Sequence, residues 1–357
     1  MIYIFILFVL FSLIGVSFKN ISGIDHDALS IERTTMINGF FVGIVFFSHF
    51  NSYVTTNNSF DNIYYSFFKI GQLMVTTFLF YSGYGIYESI KSKKNYIDNF
   101  LKTRIFKLYV SVFVAMILYL ILNSIIGKSY DIKTIILSTI GFTSIGNSNW
   151  FIFATFCMYF SVFFSFKVFK NDNSSALFSC LILSFCYIFL VMRYLGYSWW
   201  VNTILCFNAG MFFSYFKDRI LTFLSNKYHY ILIIILLIII FGLTIINNYN
   251  YYTYEIISLM FVLLVVLISL KVRIGNKMLL WLGKNTFNIY ILQRLSFIFY
   301  DYIEIKNYNI YMYFIISTLT TFVIVYFFDK VLKQIYNILV YSKSPKYKSK
   351  EGEKIEL

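Results

Sequence analysis

The sequence predicts an all-α, polytopic integral membrane protein of about eleven transmembrane helices, on three observations. Of its 357 residues, 59% are hydrophobic and 13% charged, with a mean hydropathy of +0.72. A water-soluble core does not hide that much apolar surface. The apolar residues gather into runs of the ~17–25 residues a helix needs to cross a bilayer. The Lys and Arg behind the net charge of +14 sit in short loops, which is the pattern of topology signals and not of a nucleic-acid footprint.

Met1 to Phe18 is continuously apolar, with no basic start and no small-residue cleavage site, so it reads as a retained first span. The loop Asp25-His26-Asp27 reads as solvated polar residues in preference to a metal site. The second span, IERTTMINGFFVGIVFFSHFNSY (Ile31–Tyr53), carries His49 deep in its apolar run. An ionisable group there marks either a functional site or a histidine that hydrogen-bonds a neighbouring helix. Asn38, Val42, Val45 and His49 fall on one face, a stripe about 16 Å long.

The third span, about Tyr64 to Ile90, ends in FLFYSGYGIYES, where Ser82, Gly83 and Gly85 permit close approach of a helix or a ligand. KSKKNYIDNFLKTRIFK (Lys91–Lys107) follows and assigns its loop to the cytoplasm. Arg104 and Lys107 are three residues apart and expected on one face, with Lys102 nearby. They suit either lipid headgroups or the phosphates of a soluble donor. The fourth span covers about Ile105 to Ile126, and Trp150, in GFTSIGNSNWFIF, begins the fifth at an interface. Spans six to nine cover about Ser175–Met192, Trp199–Phe216, Tyr230–Ile246 and Tyr254–Leu270, with His229 as an interfacial residue. The tenth, WLGKNTFNIYILQRLSFIF (Trp281–Phe299), places Gln293-Arg294 inside an apolar run. A guanidinium there needs an acid, a polar cavity or an anionic ligand, unless it snorkels. The eleventh covers about Tyr311 to Phe328. Cys157, Cys180, Cys186 and Cys206 lie in spans without metal spacing and read as packing residues.

Loop charge gives one consistent path, with the N-terminus outside, the C-terminus in the cytoplasm and the cell membrane as location. Residues 1–29 form an added span and loop, 30–333 the transmembrane domain and 334–357 a basic tail.

On these residues the chain resembles the membrane acyltransferase-3 family, bacterial enzymes that O-acylate surface glycans from coenzyme A thioesters. The resemblance covers about Ser30 to Phe328. Asn38-Gly39 through His49 is similar to the family's basic residue, glycine, apolar run and histidine. FLFYSGYGIY resembles its aromatic SG segment and NFLKTRIFKLY its basic stretch, with Arg104 on the first arginine and Lys107 where a second is common. NSNWFIF and WLGKNTFNIYILQR resemble later signatures. The chain departs from the pattern at Asn38, where the family has Arg or Lys, and at Val110, where proline is frequent.

The resemblance implies an acyl-CoA donor, acetyl-CoA in kind, with no metal. It implies a surface glycan or lipid-linked saccharide as acceptor, membrane lipid as surroundings and no nucleic acid. His49 is expected as the base that activates a sugar hydroxyl. Arg104 and Lys107, with Lys102 and the position of Asn38, are expected to hold the donor, and Ser82, Tyr84, Trp150 and Arg294 to line the pocket. A transporter or flippase, or a degenerate family member, is the competing reading.

Overall fold

Ser30 starts the helix on which the bundle is built. Its hydroxyl accepts the Arg33 N–H at 3.4 Å and caps α2 (Ile31–Phe50). The computed structural model describes residues 1–18, 25, 27–54, 64–65, 71–246 and 251–341. Ten of the twenty α2 residues are buried, so this helix lies within the bundle and not on its lipid-facing skin. Val42 and Val45 are fully enclosed, as a stripe ending at His49 requires.

Before α2 stands α1 (Ile2–Leu13), and after it come a 3₁₀ turn (Gly71–Val75) and α3 (Thr76–Ser92). A π turn (Leu101–Ile105) leads into α4 (Phe106–Ile125), followed by the short α5 (Ile132–Ser138), α6 (Trp150–Val168) and α7 (Asn173–Tyr194). Then come α8 (Leu205–Tyr215), α9 (Lys217–Ser225), α10 (Lys227–Ile246), α11 (Tyr251–Ser269), α12 (Lys277–Lys284), α13 (Thr286–Tyr302) and α14 (Ile310–Tyr336). Side chains set several starts: Asp131, Asp172, Asn276 and Asn309 each accept backbone N–H groups of the first turn.

The chain is all-α. Five helical stretches are long and apolar enough to cross a membrane: Leu101–Ile125, Trp150–Val168, Asn173–Tyr194, Lys227–Ile246 and Ile310–Leu339. Exposed Ile, Leu and Phe side chains along α4, α7, α10 and α14 face outward, as lipid contact demands. The protein is a multi-pass membrane protein.

Four expectations need correction. The first apolar run is not one span: α1 ends at Leu13, and Ser17–Phe18 pair with Val272–Arg273 as a two-residue antiparallel ribbon. Asp25 is not solvated; it is 4% exposed and lies 3.5 Å from Arg33 and 3.7 Å from Arg273, in balance with two guanidinium groups. The seventh span is α-helical only from Leu205, because Ser198–Trp200 forms a 3₁₀ turn and 201–204 further turns. The tenth is two helices, broken at Asn285, whose side chain donates back to the Trp281 carbonyl at 2.9 Å. His26, the loop 57–62, the turn 247–250 and the tail 343–354 lie outside the described residues.

Small residues bring the helices together. A Cβ on Gly39 of α2 would stand 2.0 Å from the Leu279 carbonyl oxygen of α12. At the α3–α8 crossing, a Cβ on Gly83 would meet the Phe207 oxygen, and one on Gly210 the Phe80 oxygen, both at 2.0 Å. Gly83 therefore serves packing, whereas Gly85 faces open space. Polar pairs then join neighbouring helices: Tyr119 donates to the Ile291 carbonyl at 2.9 Å, and Ser296 and Thr321 share a bond of 2.7 Å.

Candidate functional site

His49 stands about 27 Å of helical rise along α2 from Ile31. Gln293 of α13, itself fully buried, lies 2.7 Å from His49 Nδ1 through its amide nitrogen. The same nitrogen is 3.2 Å from the Tyr290 carbonyl, which only accepts. The amide therefore donates to both, His49 Nδ1 accepts, and the ring proton sits on Nε2. The Tyr290 ring lies 5.7 Å from the imidazole. Arg294, one residue beyond Gln293, lies near enough for its charge to act on His49, Tyr53, Tyr119 and Tyr290.

The basic residues form a second cluster at the other end of α4. Arg104 Nε donates to the Tyr96 hydroxyl at 2.9 Å, and Tyr159 of α6 lies close enough to act on its charge. Lys107 instead places its ammonium 5.3 Å from the Tyr336 ring of α14. The two side chains thus meet different partners, and the π turn at Leu101–Ile105 alters the 3.6-residue register between them. Lys102 is exposed beside them.

A chain of side chains joins the clusters. Ser82 of α3 hydrogen-bonds the Tyr159 hydroxyl at 3.1 Å. Phe78, one turn away, packs on Phe151, and Phe151 packs on Tyr290 with centroids 5.1 Å apart. Trp150 meets Phe151 edge-on at the start of α6, with centroids 5.8 Å apart. Trp150 and His49 thus border the Phe151–Tyr290 pair from either end, and Ser82 lies one turn from Phe78 in the same path. An apolar cavity of about 360 Å³, lined by Leu101, Phe106, Phe156 and Phe160 among others, opens beside the π turn.

Comparison with known proteins bears on this arrangement. A family model described as an acyltransferase domain, that of the acyltransferase-3 family, matches residues 36–329. The chain belongs to this family. No curated protein and no solved structure matches it.

In this acyltransferase the matched region runs from the base of the His49 helix to the end of the apolar part of α14. Tyr84 turns from the Ser82 side: its ring packs on Phe213, with the Lys217 ammonium 5.6 Å away. There it borders an ionic knot in which Glu88 lies 2.6 Å from Lys91 and accepts from Ser214 at 2.7 Å. Asn38 lies on the His49 stripe, with its buried amide oxygen unpartnered. Arg33 does not replace the missing basic residue, being held by Asp25.

Sequence reasoning passed over Gln293, Tyr290, Tyr53 and Glu255 as site or scaffold residues. Glu255 of α11 accepts the Leu205 N–H at 2.6 Å and so caps α8, which starts inside the bundle. A carboxylate in an apolar run was the available signal. His229 stacks on Phe223 at 4.3 Å. The four cysteines are free.

Proposed function

We propose that this acyltransferase carries an acyl group, acetyl in the simplest case, from acyl-coenzyme A on the cytoplasmic side to a hydroxyl of a surface polysaccharide or its lipid-linked precursor. The observation that carries the reading is the His49–Gln293 pair beside Arg294, inside the bundle and joined to the basic cluster at Arg104. From Arg104 to Tyr119 the chain climbs about 20 Å at helical rise, a span suited to an extended pantetheine arm. Phosphates at Arg104 and Lys102 would leave the thioester near His49.

His49 acts through Nε2. The Gln293 amide oxygen is buried without a partner, and a half-turn of the amide brings it to Nδ1 at the cost of the 3.2 Å bond to the Tyr290 carbonyl. With that oxygen accepting from Nδ1–H, Nε2 carries the lone pair. The hydroxyl then gives its proton to Nε2 as its oxygen bonds to the thioester carbon. The carbon–sulfur bond breaks, and the thiolate takes the proton from the imidazolium.

The reading is tested by mass spectrometry of surface polysaccharide from cells with and without the protein. A missing acyl mass supports it; identical glycans overturn it. Arg104→Ala is expected to weaken acyl-CoA binding about tenfold or more, the worth of one charged phosphate contact. Unchanged affinity in purified protein would assign Arg104 to lipid. For sidedness, a cysteine replacing Lys94 should resist an impermeant maleimide in intact cells. Labelling there would put the donor on the wrong side.

A further inference from the structure

Arg294 is a guanidinium with no acid paired to it among the described residues. Among the described residues no carboxylate lies within 4.0 Å of it. Asp301, the acid on the same helix, is taken by Lys306 at 2.5 Å. Arg294 Nε is buried and has no hydrogen-bond partner. Arginine does not shed its charge, and leaving that charge uncompensated within a membrane bundle is costly. The neighbourhood is short of partners as well: the Tyr290 hydroxyl, Gln293 Oε1 and both amide atoms of Asn51 are buried without one. Native interiors leave few such groups, and several on two elements around one histidine call for an explanation.

We infer that this end of the site is the acceptor subsite, and that it takes an acidic saccharide whose anionic group pairs with Arg294. The Tyr53 phenol, on which the guanidinium charge acts, would be a second donor. Tyr290 and Asn51 meet the sugar hydroxyls, so that the hydroxyl to be acylated comes to His49. A planar guanidinium suits both a sugar carboxylate and the phosphate joining a glycan to its carrier. The shared requirement is an anion one sugar ring away from the reacting hydroxyl. This inference rests on the proposed acyl transfer only for the fate of the bound sugar.

The test is equilibrium binding to the purified full chain in detergent, with three probes: a methyl hexuronoside, the matching methyl hexoside and the hexose 1-phosphate. Wild-type protein is expected to favour at least one anionic probe over the hexoside by about tenfold or more. The anionic probe that gains distinguishes a carboxylate ligand from a phosphate. In Arg294→Gln that preference should fall to near unity, and Arg294→Lys should restore part of it. No preference in the wild type, or a preference kept by Arg294→Gln, overturns the inference. Acylation of the same probes from acetyl-CoA is read separately. Selective binding without acylation would remove the proposed function while leaving the anion subsite standing.

Discussion

Replacing His49 with Gln is expected to lower acyl transfer by about 10²–10⁴, while insertion, yield and acyl-CoA binding stay close to wild type. Glutamine can still meet the Gln293 amide, so the 2.7 Å contact in the structure has a polar successor. What glutamine lacks is a lone pair that accepts a proton near neutral pH. A histidine that served only to join α2 to α13 would tolerate the exchange. Wild-type rates in the Gln variant, measured with purified protein and labelled acyl-CoA, would sink the base assignment. His49→Ala adds a second comparison: it should be equally inactive and somewhat less stable, because it leaves the Gln293 donor without its acceptor.

The largest structural effect is expected from Gly39→Val. The added carbons point at the Leu279 oxygen and the Gly283 nitrogen, 2.0 and 2.9 Å from an ideal Cβ. Those are backbone atoms of α12 and cannot turn aside as a side chain does. Helix α12 must shift, and with it the start of α13 that brings Gln293 to His49. Overpacking of this kind costs about 1–3 kcal/mol, occasionally more, and should lower the unfolding temperature by several degrees. Gly85→Ala is the matched control, since nothing lies within 4 Å of that position and alanine suits a helix better than glycine. A Gly39→Val protein as heat-stable and monodisperse as the control would mean that the α2–α12 contact is looser than described.

Much of this was legible in the sequence, for a physical reason in each case. His49 and Arg294 stood out because ionisable groups are costly in apolar runs, and the structure places both in one cluster. The extent of α2 followed from its polar start and unbroken apolar body. The break at Asn285 was hidden because both halves of the tenth run are apolar, and capping a short helix inside a bundle takes one side chain. The separate partners of Arg104 and Lys107 were hidden because a π turn leaves no mark in residue spacing. Gln293 was visible as a polar residue at depth, but its partner lies 244 positions away, beyond any local pattern. Tyr290 is one of 32 tyrosines, and nothing local distinguishes it.

The ribbon that pairs Ser17 with Arg273 and Phe18 with Val272 also sets an order of events during synthesis. A ribosome adding roughly 5–20 residues per second makes the second strand tens of seconds or less after the first. Until then α1 and α2 lack the chain that fastens them. Asp25 waits for Arg273, Gly39 waits for Leu279, and the imidazole waits last, for Gln293. The His49–Gln293 contact is therefore among the last to form, and a chain cut short before residue 270 leaves His49 without its Gln293 partner.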